Sequence, residues 1–196
     1  MKKKSLIAIT LIICFLINAL VFAEYTFEYY VTLQINNTGY INRYGSDPPS
    51  LVQLDENDSS VKPIIHEGRT MVPMRAIISI IPIDGPPEYD IEWDGIERKA
   101  VLIAKDYLIT RTVAEFKIGS ASALFYDEEG KNPRQVTIPA APMIINDRTY
   151  LPLRAVVDSL TYHEIEWIPA KQGIVIYFTN NRPKIVTYPD GSVMEF

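Results

Sequence analysis

One segment occurs twice in this chain. Residues 69–76 read Arg-Thr-Met-Val-Pro-Met-Arg-Ala, and residues 148–155 read Arg-Thr-Tyr-Leu-Pro-Leu-Arg-Ala. Each copy follows a Pro-led apolar stretch, Pro63-Ile64-Ile65 or Pro142-Met143-Ile144. Each precedes an Ile-Glu-Trp, at Ile91-Glu92-Trp93 and Ile165-Glu166-Trp167. Self-similarity of this kind sets the architecture before any local reading does. A motif used twice in equivalent contexts is expected to be scaffold rather than a single catalytic centre.

The N-terminus reads as a processing segment. Lys2, Lys3 and Lys4 precede residues 6–22, which are apolar apart from Thr10 and Asn18, and Val21-Phe22-Ala23 presents small residues where a signal peptidase cuts. Residues 1–23 are therefore expected to be a signal peptide, with a retained anchor as the competing reading. Cys14 does not make a lipoprotein site, because Ile13 stands where a small residue is needed. Cleavage after Ala23 would remove the chain's one cysteine, so no disulfide and no cysteine-based metal or redox site is expected. It would also remove three of the 19 basic residues, leaving 16 against 24 acidic and a net charge of −8. That balance opposes nucleic acid as a partner and opposes binding to anionic lipid. No membrane association is expected after cleavage.

Along the remaining chain, Val31-Thr32-Leu33-Gln34-Ile35 alternates like a half-buried strand, and Asn36-Asn37-Thr38-Gly39 turns it back into Tyr40-Ile41-Asn42-Arg43-Tyr44. Residues 114–118 and 123–126 repeat that hairpin around Gly119-Ser120-Ala121-Ser122. Residues 45–62 and 127–137 read as matching loops. His66-Glu67-Gly68 and Asn146-Asp147 are turn signals. After Pro73 the apolar residues fall at Met74, Ile77, Ile78 and Ile81; after Pro152 they fall at Leu153, Val156, Val157 and Leu160. This spacing gives two short helices with one apolar face each, and proline suits their first position. Pro82 ends the first, and Asp84-Gly85-Pro86-Pro87 follows there alone. Two strands close each unit, at 89–93 and 100–104 and at 163–167 and 173–178. Residues 184–188 and 192–196 form a last hairpin.

The fold class is α+β: antiparallel β-sheets each packed on a short α-helix, in two tandem related units. The expected divisions are 24–106 for the first unit, 107–181 for the second and 182–196 for a C-terminal hairpin or tail.

At Arg69, Thr70, Pro73, Arg75 and Trp93, and again at Arg148, Thr149, Pro152, Arg154 and Trp167, the sequence resembles the copper amine oxidase N-terminal-like domain. Lys117-Ile118-Gly119-Ser120 also fits, so the resemblance spans residues 30–180. It implies an antiparallel sheet wrapped around a helix. In amine oxidases this domain is a peripheral stalk remote from the copper and the quinone. In bacteria such modules occur in secreted and cell-surface proteins, usually without known activity. The sequence departs from the family where Ile168 follows Trp167 while Asp94 follows Trp93, and where Ile-Ile-Pro-Ile-Asp-Gly replaces a Gly-terminated helix.

The residues oppose copper chemistry. A copper site needs several imidazoles, and only His66 and His163 are present, in different units. Arg75 and Arg154 lie in the first helical turn, where a cation opposes the helix dipole. Each is expected to find a carbonyl, or Glu92, Asp94 or Glu166, with its stem on Trp93 or Trp167; an anion or ligand contact is the functional alternative. Trp93 and Trp167 are expected in the core. Tyr25, Tyr29, Tyr30, Tyr40, Tyr44 and Tyr126 cluster near the opening hairpins, and Tyr40, Tyr44 and Tyr126 are candidate ligand contacts for stacking on sugar rings. Asp55-Glu56-Asn57-Asp58 and Asp127-Glu128-Glu129-Gly130 read as solvated acidic loops without EF-hand spacing.

No nucleophile motif, HExxH or phosphate loop is present. The expected function is therefore a secreted or cell-surface, non-catalytic structural or binding module, with no cofactor. Its expected partner is a cell-wall component or another surface protein. The alternatives are cell-wall glycan or carbohydrate binding through exposed tyrosines, and an uncharacterised hydrolase.

Overall fold

The computed structural model describes residues 28–81, 87–160, 164–179 and 182–196. The expected signal peptide, Pro82, the 84–86 insertion, Tyr25 and His163 lie outside them. Three strands open the described chain: β1 (Tyr29–Gln34), β2 (Gly39–Tyr44) and β3 (Ser50–Gln53). The hairpin β4 (Ile64–His66) and β5 (Arg69–Pro73) leads into helix α1 (Met74–Ile80), then β6 (Glu88–Asp94) and β7 (Lys99–Asp106). The same order follows again: β8 (Ile109–Lys117), β9 (Ser122–Phe125), β10 (Arg134–Thr137), β11 (Met143–Ile145), β12 (Arg148–Pro152), α2 (Leu153–Ser159), β13 (Glu164–Ile168) and β14 (Gly173–Tyr177). A final hairpin pairs β15 (Ile185–Thr187) with β16 (Val193–Glu195).

The strands do not segregate by position in the chain. One five-stranded sheet has the order β13-β14-β1-β2-β3 and the other β10-β9-β8-β7-β6. Each thus joins an opening meander to the closing strands of the other stretch of chain. Between them a four-stranded sheet, β11-β12-β5-β4, sets the two motif strands side by side. Val72 lies opposite Leu151, flanked by Met71 opposite Pro152 and Pro73 opposite Tyr150. Among the described residues all pairings are antiparallel and there are two short α-helices, which makes the fold α+β.

Local sequence explains these elements. Both motif hairpins turn through two residues at positive φ: Glu67 (49°) with Gly68 (72°), and Asn146 (47°) with Asp147 (60°). That is the turn whose twist matches paired strands. Pro73 and Pro152 end their strands and cap the helices, one place earlier than the first helical position expected from sequence. A proline there ends a ladder it cannot extend, and its fixed φ leads the chain into the helix. The helices bury Ala76, Ile77 and Ile80, and Leu153, Ala155, Val156 and Val157. They cross-pack, α1 touching β12 and α2 touching β5. One main core therefore draws on both, with Leu33, Val72, Leu102, Phe116, Leu151 and Ile174 all buried. Each such side chain contributes roughly 1.5–3 kcal/mol.

Three sequence expectations are corrected. The segments 45–62 and 127–137 are not all loop, since each contains a strand, β3 or β10. Both are short, largely exposed sheet-edge strands held by backbone pairing, so no apolar alternation marks them. The strands expected at 100–104 and 114–118 are longer, as β7 and β8, and pair with each other as a hairpin across the expected unit boundary, with a register shift between Leu102 and Ile103. The acidic clusters do not occupy corresponding loops. Leu54 N–H donates to Thr38 O and Ile138 N–H to Ala121 O, while Pro63 O and Pro142 O accept from Asn36 and Gly119. These bonds make 55–62 the counterpart of 139–141, and place residues 127–130 in a different connection, between β9 and β10.

The C-terminal hairpin covers the outer face of the sheet where β1 pairs with β14. Tyr188 and Val186 are fully buried against Tyr30, Val175 and Tyr177. Thr32, itself buried, donates to Thr187 O at 2.6 Å. Burial away from water pushes the Tyr188 phenol up to about 12. Gly173 admits this packing, because a Cβ there would lie 2.5 Å from the Tyr188 ring. A Gly173→Ala substitution is expected to expel the ring and destabilise the fold by about 1–3 kcal/mol. Thermal unfolding checks this, and an unchanged midpoint would show that the hairpin is not seated on β14.

Candidate functional site

Each motif strand begins with an arginine next to its turn and runs inward, with Met71, Val72, Tyr150 and Leu151 buried. Thr70 and Thr149 follow the arginines, each half-buried. Arg75 and Arg154 emerge exposed on the first turns of α1 and α2. Trp93 and Trp167 are 41% and 38% exposed, which corrects the expectation that they fill the core. They sit near the ends of β6 and β13, the outermost strands of their sheets.

Arg154 donates to Ile165 O at 3.3 Å, tying α2 to the strand that carries Trp167. This is the carbonyl clamp considered from sequence. The carboxylate partners are otherwise engaged. Glu166 accepts from the Tyr177 hydroxyl and from Arg182, both at 3.1 Å, and Asp94 accepts from Ile96 and Glu97 N–H in its own turn. Among the described residues Arg75 meets none of them. Asp158, one helical turn beyond Arg154, feels that charge, although burial holds its carboxyl above the ordinary range.

Arg69 and Arg148 take equivalent places but have different surroundings. Arg148 is held by Asp58 and lies 3.8 Å from Asp55. Both acids belong to the longer connection between β3 and β4. The corresponding connection between β10 and β11 is short and offers Pro139 in their place. Asp127 does not substitute, since it accepts from Lys131 and Glu129 N–H and from Asn132 within its own loop. Arg69 is therefore exposed, and no described carboxylate pairs with it.

Arg69 instead lines a cavity of about 400 Å³ together with Thr70, Arg154 and Trp167. Ile65, Pro139, Pro152, Ile165 and Ile174 complete most of its wall. This size is within the roughly 300–1,000 Å³ usual for small-molecule sites, which are also mainly apolar with a few placed polar groups. Residues from both motif copies converge here. Among the described residues the lining holds two guanidinium groups and an indole, with no carboxylate and no imidazole.

The tyrosine expectation is corrected in part. Tyr40 is buried, and its hydroxyl donates to Ser79 O at 2.7 Å, because α1 covers that face of the hairpin. Tyr126 is half-buried and donates to Glu115 at 2.8 Å; burial and that carboxylate raise its phenol. Tyr44 is partly exposed but packs edge-on against Tyr29, with ring centres 4.8 Å apart. Tyr30, Tyr150, Tyr177 and Tyr188 are buried, so the described tyrosines form no planar exposed row.

A second cavity lies beside Gln34, Lys171, Asp190 and Ser192. Hydrogen bonds from Ser192 and Gln34 hold the Asp190 carboxyl at about 2, so it stays ionised and is a poor proton donor near neutrality. His66 is half-exposed and 3.9 Å from Glu67. Among the described residues no group of three His, Cys, Asp or Glu side chains is placed to hold a metal.

An α+β molecule whose two motif copies bring Arg69 and Arg154 to one groove belongs to the class of small, sheet-rich modules. The family model for the copper amine oxidase N-terminal domain matches residues 52–176 and 129–193, and the chain belongs to that family. The domain is a non-catalytic module, and no catalytic domain is matched. No curated protein and no solved structure matches the chain. The motif residues were legible in the sequence, whereas the groove was not. Its only sequence signal is the difference in length between 55–62 and 139–141.

The two arginines should respond differently to neutralisation. Arg148→Gln is expected to cost about 1 kcal/mol, since it strands Asp55 and Asp58, and to lower the melting temperature by about 2–4 °C. Arg69→Gln should leave it unchanged. Equal shifts in calorimetry would contradict the asymmetry.

Proposed function

We propose that the protein is a secreted or cell-surface structural and binding module without catalytic activity, and that it contacts its partner through the Arg69–Arg154–Trp167 groove. The observation that carries this reading is the composition of that groove. Two cations and an exposed indole face a largely apolar hollow, and among the described residues no acid–base pair or nucleophile accompanies them. A hydrolase would need convergent ionisable groups of complementary roles, and neither described cavity holds such a set. Membership of a non-catalytic domain family and the signal-like N-terminus support the same reading. The partner fitting this location is a cell-wall component or another surface protein. Glycan binding through a row of exposed tyrosines has less support, because most of the described tyrosines pack inward.

Retention on isolated cell-wall fractions tests the proposal, with and without EDTA. The chain should be retained in both conditions, and an Arg69→Gln/Trp167→Ala variant should lose at least about tenfold in retained amount, as expected for removing a charge-assisted contact and an aromatic anchor. Free passage of the chain, or equal retention of the variant, would overturn the assignment of this groove.

A further inference from the structure

We infer that the groove is a single site for a carboxylate-bearing saccharide, an inference that rests on the binding-module reading above. The molecule itself shows what an arginine at this position takes. At the equivalent place Arg148 is met by two carboxylates of the chain's own loop, Asp55 and Asp58. Residues 139–141 are too short to bring a counterpart to Arg69, which faces the cavity with Arg154 beside it in the lining. A chain of net charge −5 thus keeps a hollow whose described charged groups are both cations. Charge complementarity there selects an anion, and a guanidinium binds a carboxylate through paired N–H donors.

The rest of the lining specifies the body of the ligand. Trp167 and the aliphatic and proline side chains offer a flat, water-excluding surface for the C–H face of a ring. The guanidinium groups only donate hydrogen bonds, and Thr70 is the one lining side chain that can also accept. Such a lining suits an acidic saccharide, whose carboxylate and hydroxyl oxygens can accept from the guanidinium groups while its ring lies on the indole. The site exists once because the 55–62 connection supplies Arg148 with its own carboxylates.

The probes are glucuronate, glucose and acetate, titrated into the full chain by calorimetry. In parallel they are followed by fluorescence in a Trp93→Phe background, where Trp167 is the one remaining indole. Glucuronate is expected to saturate one site per chain and to perturb Trp167 emission. Glucose, which lacks the carboxylate, and acetate, which lacks the ring, should each bind at least about tenfold more weakly. Arg69→Gln should weaken glucuronate by a similar factor, and Arg148→Gln by less than about twofold. Equal binding of glucose or acetate, two sites per chain, or an Arg69→Gln variant that binds like the parent would overturn the inference. Absence of saturable glucuronate binding would also overturn it. If wall retention then still depends on Arg69 and Trp167 the module reading stands, and if it does not both fall.

Discussion

Pairing of β5 with β12 is the contact on which the rest of the molecule depends. It is short, with Val72 opposite Leu151 at its centre, and both side chains are fully buried. Each strand runs directly into its helix through a proline, so fixing the pair also fixes where α1 and α2 begin. Each helix then packs on the other copy's strand. The two five-stranded sheets close the arrangement, because each borrows strands from both stretches of chain, and β1 at the start pairs with β14 near the end. Long-range contacts of this kind order slowly but bind the parts into one cooperative body.

Doubling of the motif would by itself produce two like surfaces. One connection breaks the likeness. Where 55–62 runs long, its carboxylates neutralise Arg148, and the structure closes on itself. Where 139–141 runs short, a proline stands in the corresponding place and Arg69 remains open to the groove. The same scaffold residue is thus an internal ion-pair partner in one copy and a ligand candidate in the other. That difference is set by backbone length rather than by the motif.

Strands and helices were legible wherever burial imposes a period. The alternation of residues 31–35 and the apolar spacing after Pro73 and Pro152 follow from one buried face each. The Asn146-Asp147 turn follows from its need for positive φ. Edge strands β3 and β10 were not legible, because backbone ladders at an exposed edge ask little of side chains. Trp93 and Trp167 were misplaced for a related reason: a large apolar residue reads as core, but near the end of an outermost strand it stays partly exposed. The groove escaped the sequence because Ile65, Pro139, Arg154 and Ile174 come from four separate segments. The missing carboxylates show only in the structural correspondence of Leu54 with Ile138 and of Pro63 with Pro142.

If the β5–β12 pair holds the whole together, the molecule should open as one unit. Native-state hydrogen exchange tests this most directly. The account predicts that the slowest amides of β5, β12, the β1–β14 seam and the β7–β8 hairpin share one opening free energy, equal to that of global unfolding. Exchange through residues 107–179 while residues 28–81 stay protected, or the reverse, would contradict it.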